Sequence, residues 1–378
     1  MRVLSCSLLG LLLSSSYSVT ADVLYSVTDL GVLPGAYYSF GLGINNTAQV
    51  TGYSGGISSS AFLYSNGQLI DIAGVTSGRG INNAGQITGG VTGISGSRAV
   101  VYSNGQVTDL GTFGGSSSYG YAINDTGQVA GYSFTAAGAQ RAFLYSRGAM
   151  TDLGILEGYS GSIGLGINNA GQVTGYVSSA TSSNVFSYEA FLYGDQGMIP
   201  LGTLGGQSSQ GLAINDTGQV TGYAQTGRGA AHAFLYSNGQ MTDLGTLGNT
   251  SSFGLGINNA GQVVGYTTDQ TGRESAFIYR DGQMYDLNGL IDPALHLRLW
   301  EATAINDRGQ IVANFGNGHG EAGDINSHAY LLTPIESVPE PGTLVLFGLV
   351  VLGAPELISR YCKGTSKMQT RRWKRHKL

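Results

Sequence analysis

Apolar and polar residues alternate over short runs along most of this 378-residue chain, and the stretch 22–335 sustains no 3.6-residue period. The runs are rich in Val, Ile, Phe and Tyr and are punctuated by Gly, Asn and Ser. That pattern predicts β-strands joined by tight turns. The punctuation itself repeats. Ile-Asn-Asn or Ile-Asn-Asp begins at Ile44, Ile81, Ile123, Ile167, Ile214, Ile257 and Ile305, with spacings of 37, 42, 44, 47, 43 and 48 residues. An Ala-Phe-Leu-Tyr phrase or a variant follows at Ala61, Ala99, Ala142, Ala190, Ala233, Ala276 and Ala329. A third phrase, Asp-Leu-Gly or a relative, marks Asp29, Asp71, Asp109, Asp152, Leu201, Asp243 and Asp286.

Each repeat predicts four strands. Gly-x-Ala/Gly-Ile is the first, and the Asn-Asn or Asn-Asp turn leads to the second, Gln-Val-x-Gly-Tyr. Ala-Phe-Leu-Tyr is the third, and a Ser-Asn-Gly turn leads to the fourth, Gln-Met-Thr-Asp-Leu. A Gly/Ser-rich stretch such as 111–120 is expected to connect one repeat to the next. Four strands in roughly 40–45 residues describe a propeller blade. The phase of the repeats argues for closure: the last stops near Thr333 without a fourth strand, while the chain opens on an unattached fourth strand, Leu24 to Leu30. The expected fold is therefore all-β, a seven-bladed β-propeller of four-stranded blades over 22–335, closed by an N-terminal strand. Closure removes exposed edges, whereas an open solenoid has no use for this permutation. The Gly-x-Ala-Ile strand belongs nearest the axis, where small residues relieve crowding.

Both ends read as addresses. Met1-Arg2, an apolar run to Leu13 and small residues before Asp22 predict a signal peptide over 1–21, cut between Ala21 and Asp22 by signal peptidase. At the other end a linker, 336–342, carries Pro339, Glu340 and Pro341; a hydrophobic segment, 343–358, and a basic tail, 359–378, follow. An apolar segment with trailing positive charge is a stop-transfer pattern with its basic end in the cytoplasm. Pro355 and Glu356 interrupt this one after about 12 residues, short of the roughly 20 that span a bilayer. The ordered trio closely resembles the PEP-CTERM sorting signal of Gram-negative bacteria and cyanobacteria. The resemblance implies processing by an exosortase-type enzyme near Pro339–Pro341, with transient inner-membrane anchoring and a destination at the cell surface, outer membrane or extracellular matrix. The repeat phrases resemble the HAF-repeat family of exported bacterial proteins. The namesake triplet stands intact once, as His232-Ala233-Phe234; elsewhere its first position is Ser60, Arg98, Arg141, Glu189, Ser275 or His328.

Charge narrows the range of partners. Residues 22–341 hold nine Arg and no Lys against 22 Asp and Glu, a formal net charge of −13. Nucleic acid demands a basic footprint and is excluded as a partner. The basic residues cluster instead in the terminal tail, where they can face anionic lipid. Cys6 and Cys362 both lie in the terminal segments, so no disulfide is expected in the body.

Catalytic chemistry is not evident. The body's His232, His296, His319 and His328 lack metal-ligand spacing. Gly52 to Gly56 matches a G-x-S-x-G elbow by letter but ends a predicted strand with no helix after it, so it reads as a turn. The repeated Asp29, Asp71, Asp109, Asp152, Asp243 and Asp286 could ring a structural Ca²⁺, but a side-chain cap on each turn is the simpler account. No cofactor is expected. Asp286 to Trp300 departs most from the repeat, and loops that do so often carry specificity. Asp292, His296, Arg298 and Trp300 are the candidate ligand-binding residues there, with a sugar stacked on Trp300; a core role for Trp300 is the plainer alternative. The insertion 316–328 is the other irregular stretch. The expected function is a non-catalytic surface or matrix protein that binds polysaccharide or other surface proteins. The alternative is a polysaccharide lyase or glycosidase with paired carboxylates near the axis, about 5–9 Å apart in a glycosidase.

Overall fold

The computed structural model describes residues 25–335 except 57, 95, 181–185 and 316–326. The expected signal peptide, the Pro339–Pro341 motif, the apolar segment, the basic tail and most of the 316–328 insertion fall outside the described residues. Leu24–Ile335 forms one compact unit.

Seven four-stranded antiparallel sheets make up that unit. Blade 1 is Tyr38–Ile44, Val50–Gly55, Ser59–Ser65 and Gln68–Ile72, and its strands pair in chain order. Blades 2 to 6 repeat the plan, beginning at Ser77, Gly114, Gly161, Gly205 and Ser251. Blade 7 breaks the order as the repeat phase requires. Its first three strands are Leu299–Ile305, Ile311–Phe315 and His328–Pro334, and its fourth is Tyr25–Asp29 from the other end of the chain. Tyr25 to Asp29 runs in register with Pro334 to Tyr330, and the Leu30 N–H continues the pairing onto the Ala329 carbonyl at 3.0 Å. The seven-bladed, N-terminally closed propeller is thus the observed fold.

The core is distributed over the blade interfaces. Phe62, Phe143, Phe191, Phe234 and Phe277, the Phe of the third-strand phrase, are wholly buried. Each sits in a cluster shared by two neighbouring blades: Phe191 of blade 4, for example, packs with Ala130, Ala142 and Leu153 of blade 3. The cluster that unites the ends of the ring joins Val50 and Phe62 to Val312, Ala329 and Leu331, with Leu30 and Leu33 beside them. Full burial of each such ring is worth about 1.5–3 kcal/mol. The inner strands approach closely, as expected: a Cβ on Gly80 would lie 3.1 Å from the Ala122 Cα of the next blade.

One sequence expectation needs correction. The Gly/Ser-rich stretch 111–120 is not a plain connection, because the first strand of blade 3 already begins at Gly114. Small residues are required there since the strand enters between two blades. Ser118 is fully buried; its hydroxyl accepts the Ala99 N–H of blade 2 at 3.0 Å and donates to the Gly111 carbonyl at 2.6 Å. Ser39, Ser162, Ser209 and Ser252 repeat the arrangement. Each hydroxyl satisfies backbone groups that would otherwise be buried unpaired.

The turn after each first strand closes with the N–H of its fourth residue bonded back to the Asn carbonyl. That residue takes a positive φ in every blade: Gly85, Gly127, Gly171, Gly218, Gly261 and Gly309, but Ala48 (φ 62°) in blade 1. A Cβ in the left-handed region is strained. Ala48→Gly is therefore expected to stabilise the protein by roughly 0.5–1 kcal/mol in denaturant unfolding; an unchanged or lowered midpoint would contradict this account of the turn.

Candidate functional site

The axial channel has two chemically different ends. At one, the turn residues of all seven blades interlock. Asn45, Asn82, Asn124, Asn168, Asn215, Asn258 and Asn306 are buried. Each donates its side-chain amide to the carbonyl of the equivalent Asn in the next blade, at 2.9–3.1 Å, and Asn306 returns to Asn45. The same amide holds the Gln four residues on, at 2.7–2.9 Å.

A second ring lies beside the first. Asn46, Asn83, Asp125, Asn169, Asp216, Asn259 and Asp307 each accept on Oδ1 the N–H of the equivalent residue in the preceding blade, at 2.8–2.9 Å. Asn and Asp alternate except at Asn46 and Asn83, the one like pair that an odd number of blades forces. Each carboxylate consequently receives two amides on Oδ2: Asp125 from Asn83 and Asn169, Asp216 from Asn169 and Asn259, Asp307 from Asn259 and Asn46. No two carboxylates are neighbours, which avoids a direct like-charge contact. These rings line a cavity of about 150 Å³.

Further along the axis the wall changes. In all seven blades a β-bulge falls two residues before the Ile of the first strand, between Gly41 and Gly43 in blade 1 and between Gly78 and Gly80 in blade 2. A bulge re-aims the residue it carries. Leu42, Arg79, Tyr121, Leu165, Leu212, Leu255 and Thr303 are those residues, and all line a channel cavity of about 250 Å³. Beyond them stand pairs formed by the first and second strands: Phe40 with Tyr53, Tyr119 with Tyr132, Ile163 with Tyr176, Gln210 with Tyr223, Phe253 with Tyr266, and Glu301 with Asn314. Phe40 stacks on Tyr53 at 5.3 Å between centroids and Phe253 on Tyr266 at 4.8 Å. Burial pushes the Tyr53, Tyr121 and Tyr176 hydroxyls up to about 12, so they remain neutral donors.

This end is asymmetric. In blade 2 the aromatic pair is replaced by Ser77 and Gly90, and the Tyr119 ring of blade 3 fills the notch; a Cβ on Gly90 would lie 2.2 Å from it. The Arg79 guanidinium lies 5.7 Å from the centroids of both Tyr119 and Tyr121, a cation–π arrangement. In blade 7 Glu301 accepts a 2.8 Å hydrogen bond from Asn314. Burial pushes its carboxyl up to about 7; the Asn314 amide and Arg79 oppose the rise and Glu274 adds to it.

The residues expected to bind ligand are placed as follows. Trp300 is 7 % exposed, edge-on to Phe40 at 5.8 Å. Arg298 donates to the Glu274 carbonyl at 2.6 Å. Asp292 caps the short 3₁₀ turn Pro293–Leu295, and His296 ends it in the left-handed region. Among the described residues no hydrogen bond or ion pair joins any two of the four. Five of the six repeated acids cap turns: Asp29, Asp109, Asp152, Asp243 and Asp286 accept the N–H two residues on at 2.8–2.9 Å, whereas Asp71 accepts from the Ser60 hydroxyl. Some also pair with the residue just before the third-strand Ala, as His232 with Asp243, His328 with Asp29 and Arg98 with Asp109. In blade 4 Pro200 opposes Phe191 where an Asp stands in six other blades, and the phrase begins with Glu189, which accepts from Tyr159 instead. Nothing in its immediate sequence singles out Arg79, and Glu301 stands in the chain only as one of several scattered acids. Aligning the repeats four and two residues before each Ile would have isolated them, since each is the one charged residue at its position.

Fold and channel together define a seven-bladed β-propeller scaffold whose channel has two chemically different ends, and comparison with known proteins agrees at the level of the fold. Residues 337–360 match the PEP-CTERM protein-sorting motif, which implies export in bacteria and processing by an exosortase-type enzyme. Residues 207–326 match a family described as a protein of unknown function, DUF3466. No curated protein matches. Among solved structures, the β-propeller domain of the Trilobed protease from Pyrococcus furiosus, described as having an open velcro topology, is 8 % identical; the match covers 79 % of this chain and 94 % of that one, with a TM-score of 0.53. YCF48 bound to D1 peptide is 11 % identical over 84 % of this chain and 96 % of that one, with a TM-score of 0.49. Such likeness speaks to the fold alone. Among the described residues no helix is long and apolar enough to cross a membrane, and no group of three or more His, Cys, Asp or Glu is placed to hold a metal ion.

Glu301 gives a pH signature. Its carboxyl holds a proton more tightly folded than unfolded, so its contribution to stability falls as pH rises from about 4.5 to about 7. Glu301→Gln, which keeps an acceptor for Asn314, is expected to remove that slope and to add on the order of 2–3 kcal/mol at pH 8. Denaturant unfolding at pH 5 and pH 8 checks this; an unchanged pH dependence in the variant would contradict it.

Proposed function

We propose that this protein is a non-catalytic surface or matrix module with HAF-type repeats, which binds polysaccharide at the aromatic end of its channel. Other surface proteins are the alternative partner. The observation that carries the reading is the collar of Tyr53, Tyr132, Tyr176, Tyr223 and Tyr266, partly exposed and backed by Phe40, Tyr119 and Phe253. Ring faces with neutral hydroxyls suit the apolar faces and hydroxyls of sugars. The sorting motif fits a protein that meets polysaccharide outside the cell. Screening the propeller, residues 22–337, against a glycan array tests the reading: the expected result is binding that Tyr223→Ala weakens at least tenfold, and an array without binders would contradict it.

One observation favours a polysaccharide-acting enzyme instead. Glu301, with its carboxyl near 7 beside the collar, has the protonation behaviour of a general acid. Turnover of a polysaccharide, abolished by Glu301→Gln with folding intact, would establish that reading over the binding module.

A further inference from the structure

The bulge is common to all seven blades, but the side chain it delivers is not. Four blades present Leu, one Tyr121, one Thr303 and one Arg79. Arg79 is thus the single cation on the wall of the 250 Å³ cavity, among the leucines that face it. Two arginines at the blade surface pair with acids, Arg98 with Asp109 at 3.1 Å and Arg141 with Asp152 at 3.9 Å. Among the described residues no carboxylate lies within ion-pair distance of Arg79, whose neighbours are the faces of Tyr119 and Tyr121. Glu301 reaches it only at longer range, and burial favours the neutral form of that carboxyl.

A second observation points the same way. Five buried side-chain polar atoms lack a hydrogen-bond partner among the described residues, and two of them are Arg79 Nε and Ser77 Oγ, two residues apart on one strand. A buried guanidinium N–H and an orphaned hydroxyl beside it are costly to leave unmatched, although the rest of the Arg79 guanidinium meets the Tyr119 hydroxyl. The chain bears that cost where Leu would serve, as it does in four other blades. The local sequence also brings an aromatic face to Arg79, because Ser77 and Gly90 stand where five other blades carry a large residue paired with Tyr, and the Tyr119 ring occupies the space they leave.

We propose that Arg79 forms a recognition site for a carboxylate borne by the bound sugar, so that the ligand class is an acidic, uronate-containing polysaccharide. The inference rests on the glycan-binding reading above. The guanidinium supplies a bidentate fork for one carboxylate, and the flanking tyrosines supply faces for the sugar ring. A cavity of this size, below the roughly 300–1,000 Å³ of drug-sized sites, takes a single group. A sugar fits better than a peptide, since the first strands around the channel are each paired within their own blade and sit at the axis with no free edge to extend. The body's strong negative charge repels polyanions in general, so a local cation is needed to select one.

Calorimetric titration of the propeller with tri-galacturonate and with its methyl ester tests this. The expected result is at least tenfold tighter binding of the acid. Arg79→Leu, the residue four other blades tolerate, should erase that preference without lowering the melting temperature, and Arg79→Lys should keep part of it. Equal binding of acid and ester, unaltered by Arg79→Leu, would overturn the proposal and leave the glycan reading standing. Failure of both oligomers to bind, with glycan-array binding also absent, would remove the reading itself. Competition by oligoglutamate as strong as by the acid trimer would overturn the choice of sugar over peptide, and displacement by millimolar sulfate but not by acetate would overturn carboxylate in favour of a sulfate ester.

Discussion

The structure depends on one relay: the side-chain amide of Asn45 and its six equivalents, each bonded to the backbone of the next blade until the circuit closes from Asn306 to Asn45. Blades of this kind contact only their neighbours, and such arrays are held by pairwise interfaces. The relay adds a constraint that no pairwise interface supplies, since every amide fixes the height and rotation of the turn that follows it. Its members are buried, so each missing bond leaves a polar group without water. The strand Tyr25–Asp29 performs the complementary task at the rim, where it turns a three-stranded edge into a complete blade.

Fixing one end of the channel frees the other to vary. The bulge and the paired positions beyond it lie on first and second strands joined by the turns of the asparagine ring, so that ring fixes their register while their side chains vary. Leu42, Leu165, Leu212 and Leu255 preserve an apolar wall, whereas Arg79, Glu301 and Asn314 introduce charge and hydrogen-bonding groups in blades 2 and 7. The sorting motif at 337–360 belongs to the same logic of export, in a part of the chain outside the described structure.

Much of this was legible in the sequence. The phase of three phrases, with an unattached fourth strand at Leu24–Leu30, is enough to expect seven blades and the closing strand, because strand count and edge protection leave few other solutions. Turn capping by Asp109 and its equivalents was also readable from side-chain chemistry. The relay was not: Ile-Asn-Asn looks like a tight turn, and only the circular arrangement places Asn45 beside Asn82, 37 residues away in the chain. The Gly/Ser stretch 111–120 has the composition of a connection, since strand propensity disfavours Gly, but burial between blades overrides that preference. Asp286 to Trp300 drew notice for its irregularity, yet irregularity in a loop says less here than a single charged residue inside a repeated strand.

Calorimetry of the propeller, residues 22–337, tests the central claim most directly. If the relay and the closing strand bind seven blades into one unit, heating should give a single transition whose calorimetric and van't Hoff enthalpies agree. A van't Hoff enthalpy well below the calorimetric value, or resolved transitions for subsets of blades, would mean that the blades melt piecemeal and that the ring of asparagines does not hold them together.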